Sequence, residues 1–182
     1  RFAGKLQSRL QHLERLVSHM LIFARGGALP GESLPLAGLA AELRQAMEPA
    51  LAAAGGSLEV ADGAAGARVL GNREALLAAL QNLGHNALQA GARRLRLILA
   101  PGGADAWDVA LADDGPGIPE AVQARVFEPF FTTRPQGTGL GLAVVRAIAA
   151  AHNGAVWLDS TPVSGCCVTL RLPRQATAET PL

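Results

Sequence analysis

The stretch QNLGHNALQA, residues 81–90, carries two helical patterns at once. Leu83 and Ala87 continue an apolar stripe of the predicted helix, and beside it lies a polar face formed by Asn82, His85, Asn86 and Gln89. A merely solvated face would carry lysine and glutamate, whereas this one carries amides and an imidazole. Amide oxygens can complete the shell of a hydrated Mg²⁺. The alternative is a polar stripe that hydrogen-bonds a neighbouring loop, and a structural role is the expectation for His85.

The flanks of this stretch predict a compact α+β unit. Asn72 can cap the long helix, which reaches about Ala90 with Glu74 in its first turn. The alternating segments on its C-terminal side, joined by the turn PGG, predict an antiparallel hairpin. The full set comprises helices over 39–54, 72–90, a short segment after Pro119 and 140–152, with strands over 57–61, 67–71, 93–100, 105–112, 155–160 and 166–172.

The motif DDGPGIP, residues 113–119, follows the second strand of that hairpin. It is not an EF-hand loop, because carboxylates do not recur at alternate positions and no glutamate closes a twelve-residue loop. A plain turn is one interpretation. A nucleotide-base site is the other, because a carboxylate can accept a hydrogen bond from the exocyclic amine of adenine and glycines let backbone approach a flat ring.

Two further motifs, FEPFFTTRPQ at 127–136 and GTGLGL at 137–142, precede and open a predicted helix. GTGLGL lacks the lysine of a P-loop and is a weak signal alone. The free amides of a helix N-terminus suit phosphates, and Thr138 adds a hydroxyl. The phenylalanines are expected to pack, while the polar residues after them could move as a lid, with Arg134 placed to meet a terminal phosphate.

Taken together and in this order, the four motifs resemble the N, G1, F and G2 boxes of the catalytic domain of sensor histidine kinases, which have the GHKL or Bergerat fold. The resemblance covers about residues 39–173. It implies a two-layer α/β sandwich, in which helices cover one face of a mixed sheet. It also implies that ATP and Mg²⁺ bind between the long helix and the lid.

The resemblance assigns a role to individual residues. Asn86 is the implied Mg²⁺ ligand, and Asn82 and Arg134 are the implied catalytic groups near the phosphates. Asp113 is the implied adenine-binding carboxylate, and Asp114 is the variable, solvated position. Many relatives have a basic residue where this chain has Gln89, so a phosphate contact is either missing or supplied by Arg134. The other implied nucleotide-binding positions are Gly115, Gly117, Ile118, Thr133, Gly137, Thr138, Gly139, Leu140 and Gly141.

Residues 1–26 form a separate predicted unit, followed by a glycine- and proline-rich linker over 27–38. Apolar residues recur there at heptad spacing, which predicts a helix that packs against other helices or docks on the following domain. The segment is similar to the second helix of the dimerisation and phosphotransfer hairpin of the same kinases, which implies a homodimer. His12 and His19 lack the acidic neighbour of a phosphoacceptor, so no autophosphorylation of this chain is expected.

Composition restricts the remaining possibilities. The formal net charge of +1 gives no global field for nucleic acid or an anionic membrane, and no apolar run approaches the length of a bilayer span. Cys166 and Cys167 are neighbours, which is not a zinc spacing and suits a reducing, cytoplasmic setting. Strand packing is their expected role, with a redox switch as the alternative. The tail over 174–182 is predicted to be flexible.

The resemblance therefore implies a protein-histidine kinase that transfers the γ-phosphoryl group of Mg·ATP to a histidine on a helix absent from this chain. A receiver-domain aspartate of a response regulator would accept it next. NALQAGA and FFTTRPQGTGLGL favour the nitrogen-regulation type, whose partners control σ54-dependent transcription, with a flagellar-regulatory kinase as the narrower guess. The alternatives are another ATPase or serine kinase of the superfamily, and a non-catalytic nucleotide-sensing or dimerisation module.

Overall fold

The computed structural model describes residues 31–134, 137–161 and 165–175. Four helices are present in these ranges: α1 (Leu36–Ala54), α2 (Arg73–Gln89), α3 (Glu120–Gln123) and α4 (Gly141–Ala151). The strands are β1 (Glu32–Pro35), β2 (Ser57–Asp62), β3 (Arg68–Gly71), β4 (Arg94–Pro101), β5 (Ala106–Asp113), β6 (Ala155–Thr161) and β7 (Gly165–Pro173). The helix predicted over residues 1–26 lies outside the described residues.

A five-stranded mixed sheet forms one layer, with the strand order β2-β4-β5-β7-β6. Strands β2 and β4 are parallel, and every other pair in this sheet is antiparallel. Alternate residues of each strand turn to the helices, so Val109 and Leu111 of β5 are buried in the core. The predicted α+β sandwich is confirmed, and so is the antiparallel β4–β5 hairpin.

Helix α2 forms where its sequence signals place it. The Asn72 side chain accepts a hydrogen bond from the backbone N–H of Ala75 at 2.9 Å, and Glu74 lies in the first turn. Its apolar stripe is buried against α1, α4 and the sheet. The polar face predicted from residues 81–90 is thereby left on the side away from the core.

The predicted linker over 27–38 is wrong at its C-terminal end. Residues Glu32–Pro35 form β1, which pairs antiparallel with β3, and α1 begins at Leu36 rather than at residue 39. The reason is apolar burial, because the exposed fractions of Leu34 and Leu36 are only 7% and 1%. Pro35 ends the strand and precedes the first turn of the helix, where its missing N–H costs nothing.

The flexible tail predicted from residue 174 is also wrong for its first two residues. Arg174 forms an antiparallel bridge with Val69, and the N–H of Gln175 donates to the Arg68 carbonyl at 3.2 Å. The Gln175 side chain accepts a hydrogen bond from the Ser33 hydroxyl. The chain after β7 thus joins the small β1–β3 sheet to the main sheet, while residues 176–182 lie outside the described ranges.

Within residues 31–134, 137–161 and 165–175, no helix combines the length and hydropathy needed to cross a bilayer.

Candidate nucleotide-binding site

A cavity of about 520 Å³ opens between α2, the loop after β5, the segment over 131–134 and the start of α4. Its volume is that of a small-molecule site. Apolar side chains and a small number of polar groups line it together. Of the side chains that line it, those that ionise are His85, Asp113, Arg134 and Cys166.

Asp113 ends β5 and faces this cavity. Its Oδ1 accepts a hydrogen bond from the N–H of Gly115 at 2.8 Å, and the backbone N–H of Cys166, its register partner on β7, also donates to it. Burial raises the pKa of the Asp113 carboxyl, and the two amide hydrogen bonds oppose that rise. The result is a fixed, partly buried acceptor, which suits an exocyclic amine.

Asp114 does not occupy the solvated position predicted for it. Its Oδ1 accepts hydrogen bonds from the backbone N–H groups of Arg93 and Arg94, each at 2.8 Å, and its Oδ2 accepts one from Arg94 Nε at 2.9 Å. The backbone N–H of Arg94, then that of Arg93, then the Arg94 guanidinium lower the pKa of Asp114 to about 2. The adjacent carboxylates therefore differ in role: Asp113 faces the cavity and Asp114 fastens the loop to β4.

The polar residues of α2 share one face, as their spacing predicts, and this face lines the cavity through Asn82, His85, Asn86 and Gln89. The start of α4 comes close to this face, since a Cβ atom placed on Gly141 would lie 3.1 Å from Asn86 Nδ2. His85 Nδ1 lies 2.8 Å from the Gln81 carbonyl oxygen, so the ring is oriented by its own helix. Amides of α2 and the first turn of α4 thus share one end of the cavity.

The donor set at this end fits a Mg²⁺ ion that arrives with a nucleotide. The described residues contain no cluster of three or more histidine, cysteine, aspartate or glutamate side chains that could hold a metal. A metal with few protein ligands must therefore rely on water and phosphate oxygens, which is how Mg²⁺ is usually bound. The amide oxygen of Asn86 is the group that would hold it.

Arg134 lies over the C-terminal end of α2. Its Nη2 donates to the Asn86 carbonyl at 3.0 Å and its Nη1 to Gln89 Oε1 at 3.3 Å. A cation is favourable at a helix C-terminus, where the carbonyl ends of the peptide dipoles gather. The guanidinium is thereby held at the rim of the cavity, beside the metal-ligand candidate and with Gln89 as a neutral partner.

The glycine-rich segment brings most of its predicted residues to the cavity. Gly139 lies against the preceding aromatic segment, because its carbonyl accepts a hydrogen bond from the N–H of Phe130 at 2.9 Å. Leu140 is buried below the loop and does not line the cavity, and Gly115 acts through its N–H on Asp113. The loop after β5, which contains the motif over residues 113–119, is called the G1 loop. The predicted residues that line the cavity here and in the G1 loop are Gly117, Ile118, Thr133, Gly137, Thr138, Gly139 and Gly141.

Two polar residues that sequence reasoning missed hold the G1 loop in place. Ser160 Oγ accepts a hydrogen bond from the N–H of Ile118 at 2.8 Å and donates to the Gly165 carbonyl at 2.9 Å. Gln123 Nε2 donates to the carbonyls of Ile118 and Ser160 at 2.7 and 2.9 Å. No sequence motif predicts these contacts, because they depend on β6 and β7 lying beside the loop.

The two cysteines face opposite sides of β7. Cys166 lines the cavity and packs against the core, whereas Cys167, the next residue of an extended strand, faces away. Burial raises the pKa of the Cys166 thiol to about 12, and burial also raises the pKa of the Cys167 thiol. Strand packing accounts for both side chains, and Cys166 in the cavity wall is a second feature that sequence reasoning missed.

A scan against protein-family models identifies residues 71–176 as a histidine kinase-, DNA gyrase B- and HSP90-like ATPase domain. This match covers more than half of the chain and contains α2, the G1 loop and the glycine-rich segment. The chain belongs to this ATPase family. The predicted family is thereby confirmed.

Several similar proteins are sensor kinases. The sensor protein kinase FleS of Pseudomonas aeruginosa is 43% identical over 174 residues, which cover 95% of this chain and 43% of FleS. Full-length ShkA in complex with AMPPNP matches with a TM-score of 0.82 and 30% identity, over 100% of this chain and 40% of ShkA. The catalytic domain of the histidine kinase ThkA matches with a TM-score of 0.72 and 26% identity, over 80% of this chain and 97% of that domain.

This ATPase-family domain is thus similar to the catalytic domain of a histidine kinase. The chain spans less than half of FleS and of ShkA.

Proposed function

We propose that this chain binds Mg·ATP in the cavity and delivers the γ-phosphoryl group to a histidine on another helix, from which a response-regulator receiver aspartate accepts it. The observation that carries the proposal is the convergence on one cavity of Asp113, Asn86 and the first turn of α4. Full-length ShkA, at 30% identity, has a crystal structure in complex with the ATP analogue AMPPNP. A homodimer through the segment over residues 1–26 and a cytoplasmic location belong to the same proposal.

In this proposal the adenine ring lies at the sheet end of the cavity. The Asp113 carboxylate accepts a hydrogen bond from the adenine amine, and the backbone of Gly117 and Ile118 borders the ring. The apolar side chains around them, including Val168, exclude water from the ring faces. The base is therefore recognised by the Asp113 carboxylate, which the backbone amides of Gly115 and Cys166 hold in place.

The triphosphate extends toward α2 and α4. The first-turn amides of α4 and the Thr138 hydroxyl donate to phosphate oxygens, and Asn82 and Asn86 present amide groups beside them. A bound Mg²⁺ neutralises phosphate charge there. Arg134 lies at the rim of the cavity and supplies the positive charge that the neutral Gln89 does not provide. Catalysis in this arrangement comes from positioning and charge neutralisation, since phosphoryl transfer asks for little covalent chemistry from the protein.

The direct test uses ATP labelled on its γ-phosphate, with Mg²⁺. The chain alone is expected to acquire no acid-labile, alkali-stable phosphate. A separate helical hairpin of the sensor-kinase type, bearing a phosphoacceptor histidine, is expected to acquire it when the native chain is added, and not with Asn86→Ala. Histidine phosphate on the chain itself, or no labelling of any acceptor hairpin despite nucleotide binding, would contradict the proposal.

A further inference from the structure

The G1 loop leaves the sheet at a point that Asp114 fixes. Asp114 extends the β4–β5 ladder by one step, because its backbone N–H donates to the Arg94 carbonyl at 3.2 Å. Its carboxylate binds back to the N–H groups of Arg93 and Arg94 and to the Arg94 guanidinium. Backbone and side chain of one residue therefore tie the loop to the start of β4.

This tie controls the direction in which Gly115 points. Gly115 follows Asp114 directly, and its N–H holds Asp113 Oδ1 at 2.8 Å. The Gly115 backbone lies close against this carboxylate, since a Cβ atom placed on Gly115 would lie 2.8 Å from Asp113 Oδ1 and 3.5 Å from the Ala92 methyl group. If the Asp114 tie were lost, the Gly115 amide would be free to turn away from the carboxylate that it orients.

The Asp114 side chain is not itself a nucleotide contact. It is 31% exposed, is bonded to β4, and is absent from the lining of the cavity. Charge-assisted hydrogen bonds are strong and directional, so the two to backbone amides and the one to the Arg94 guanidinium together define the loop position narrowly. Its effect on the site must pass through the loop.

We propose that Asp114 is the positioning residue that gives the cavity its preference for adenine, by holding Gly115 so that its amide orients the Asp113 carboxylate. The proposal rests on the proposed function, in which Asp113 accepts the adenine amine. It separates the roles of the two neighbouring carboxylates. Asp113 accepts the hydrogen bond from the adenine amine, and Asp114 fixes the loop that orients the Asp113 carboxylate.

The test compares ADP with IDP, whose hypoxanthine base carries a carbonyl oxygen where adenine carries the amine. Titration calorimetry with Mg²⁺ gives both dissociation constants, and their ratio reports how the site recognises the C6 and N1 edge of the base, which includes the Asp113–amine contact. The native chain is expected to favour ADP strongly. Asp114→Ala is expected to reduce the ratio by about tenfold, the change for one misplaced charge-assisted hydrogen bond.

Two further variants distinguish an effect of the loop position from an effect of lost charge or lost folding. Asp114→Asn keeps an oxygen for the two backbone amides and should retain most of the ADP preference. Glu59→Gln is the matched control, because Glu59 is a 70% exposed carboxylate on the neighbouring strand β2 and forms an ion pair with Arg96 at 3.8 Å. It should leave the ratio unchanged.

The pH profile provides a readout that simple loosening of the fold would not produce. The charge of Asp114 helps to raise the pKa of Asp113, whereas Arg134 lowers it; Cys166 and His85 are the other ionisable groups of the cavity. Asp114→Asn removes that charge, so the acidic limb of ADP binding should move to lower pH.

The outcomes are distinct. An unchanged ratio in Asp114→Ala, or a loss in Asp114→Asn as large as in Asp114→Ala, would overturn the positioning role while leaving the adenine assignment intact. Absence of any ADP preference in the native chain would instead overturn the adenine assignment, and this proposal with it. Should Asp114→Ala not fold, Arg94→Ala replaces it as the weaker disruption, and it should reduce the ratio by a smaller factor.

Discussion

At the scale of single residues, the site depends on Asp113 and Asp114, two neighbouring carboxylates that the sequence alone does not distinguish. Their environments separate them, because burial raises the pKa of Asp113 while three hydrogen bonds lower the pKa of Asp114 to about 2. The family pattern selects Asp113 as the adenine-binding residue, and the structure places Asp113 at the cavity. It could not reveal the role of Asp114, because the amides that bind it lie about twenty residues earlier on β4.

The raised pKa of Asp113 predicts a pH dependence of nucleotide binding. Only the ionised carboxyl accepts the adenine amine without offering a competing proton, so binding requires the deprotonated form. ADP affinity should therefore fall as pH is lowered through a pKa above the ordinary value for aspartate, near 4. Calorimetry across mildly acidic pH measures this limb. An affinity that is constant well below pH 4 in a chain that stays folded would contradict it.

Gly117 carries a second residue-scale prediction. It has φ +73°, and a Cβ atom there would lie 2.2 Å from the Thr161 carbonyl oxygen. Gly66 has the nearly identical φ of +75° but open space around it, which makes Gly66→Ala a matched control for backbone strain alone. Gly66→Ala should cost about 1 kcal/mol of unfolding free energy. Gly117→Ala should cost clearly more and weaken ADP binding, as urea unfolding and calorimetry would measure; equal costs would contradict the close approach.

At the scale of elements, local signals predicted the long helix and the β4–β5 hairpin, and long-range pairing decided the rest. Asn72 as a cap and PGG as a turn act within a few residues, so the sequence pattern suffices for both. The pairing of β5 with β7, which places Cys166 beside Asp113, joins segments more than fifty residues apart. The β1–β3 sheet and its bridge to Arg174 likewise have no local signature.

The cap of α2 gives a prediction for this element. Asn72→Ala removes the acceptor for the Ala75 amide and should lower the unfolding free energy by about 1 kcal/mol. Asn72→Asp keeps the acceptor and should lose much less. Urea denaturation followed by circular dichroism compares the two. Equal stability of native chain and Asn72→Ala would show that the cap contributes nothing measurable.

Strand geometry yields a prediction for the cysteines. Consecutive residues of β7 point to opposite faces, so Cys166 and Cys167 are poorly placed for a vicinal disulfide, and their raised pKa values keep both as thiols at neutral pH. Mild oxidation should leave two thiols to be counted by a thiol reagent after denaturation, with ADP binding unaltered. Rapid disulfide formation with loss of ADP binding would revive the redox-switch alternative.

At the scale of the whole molecule, the two layers and the strand ends create a cavity that no single motif contains. Four motifs, separated along the chain, meet between α2 and α4 because the helices share one face of the sheet. The order of the motifs was sufficient to predict this architecture through the family they resemble. Composition contributed less to the prediction. The nearly balanced charge argues against partners that bind through a global electrostatic field, such as nucleic acid, but it does not indicate which ligand binds.

Calorimetric titration of ADP with Mg²⁺ into the native chain, Asp113→Asn and Asp108→Asn tests whether Asp113 governs nucleotide binding. Asp108 is the matched control, because it lies on β5 but is paired with Arg171 at 2.8 Å and does not line the cavity. We expect the native chain and Asp108→Asn to bind ADP, and Asp113→Asn to lose affinity by tenfold or more, in line with a charge-assisted hydrogen bond. Equal binding by all three proteins, or none by the native chain, would contradict this expectation.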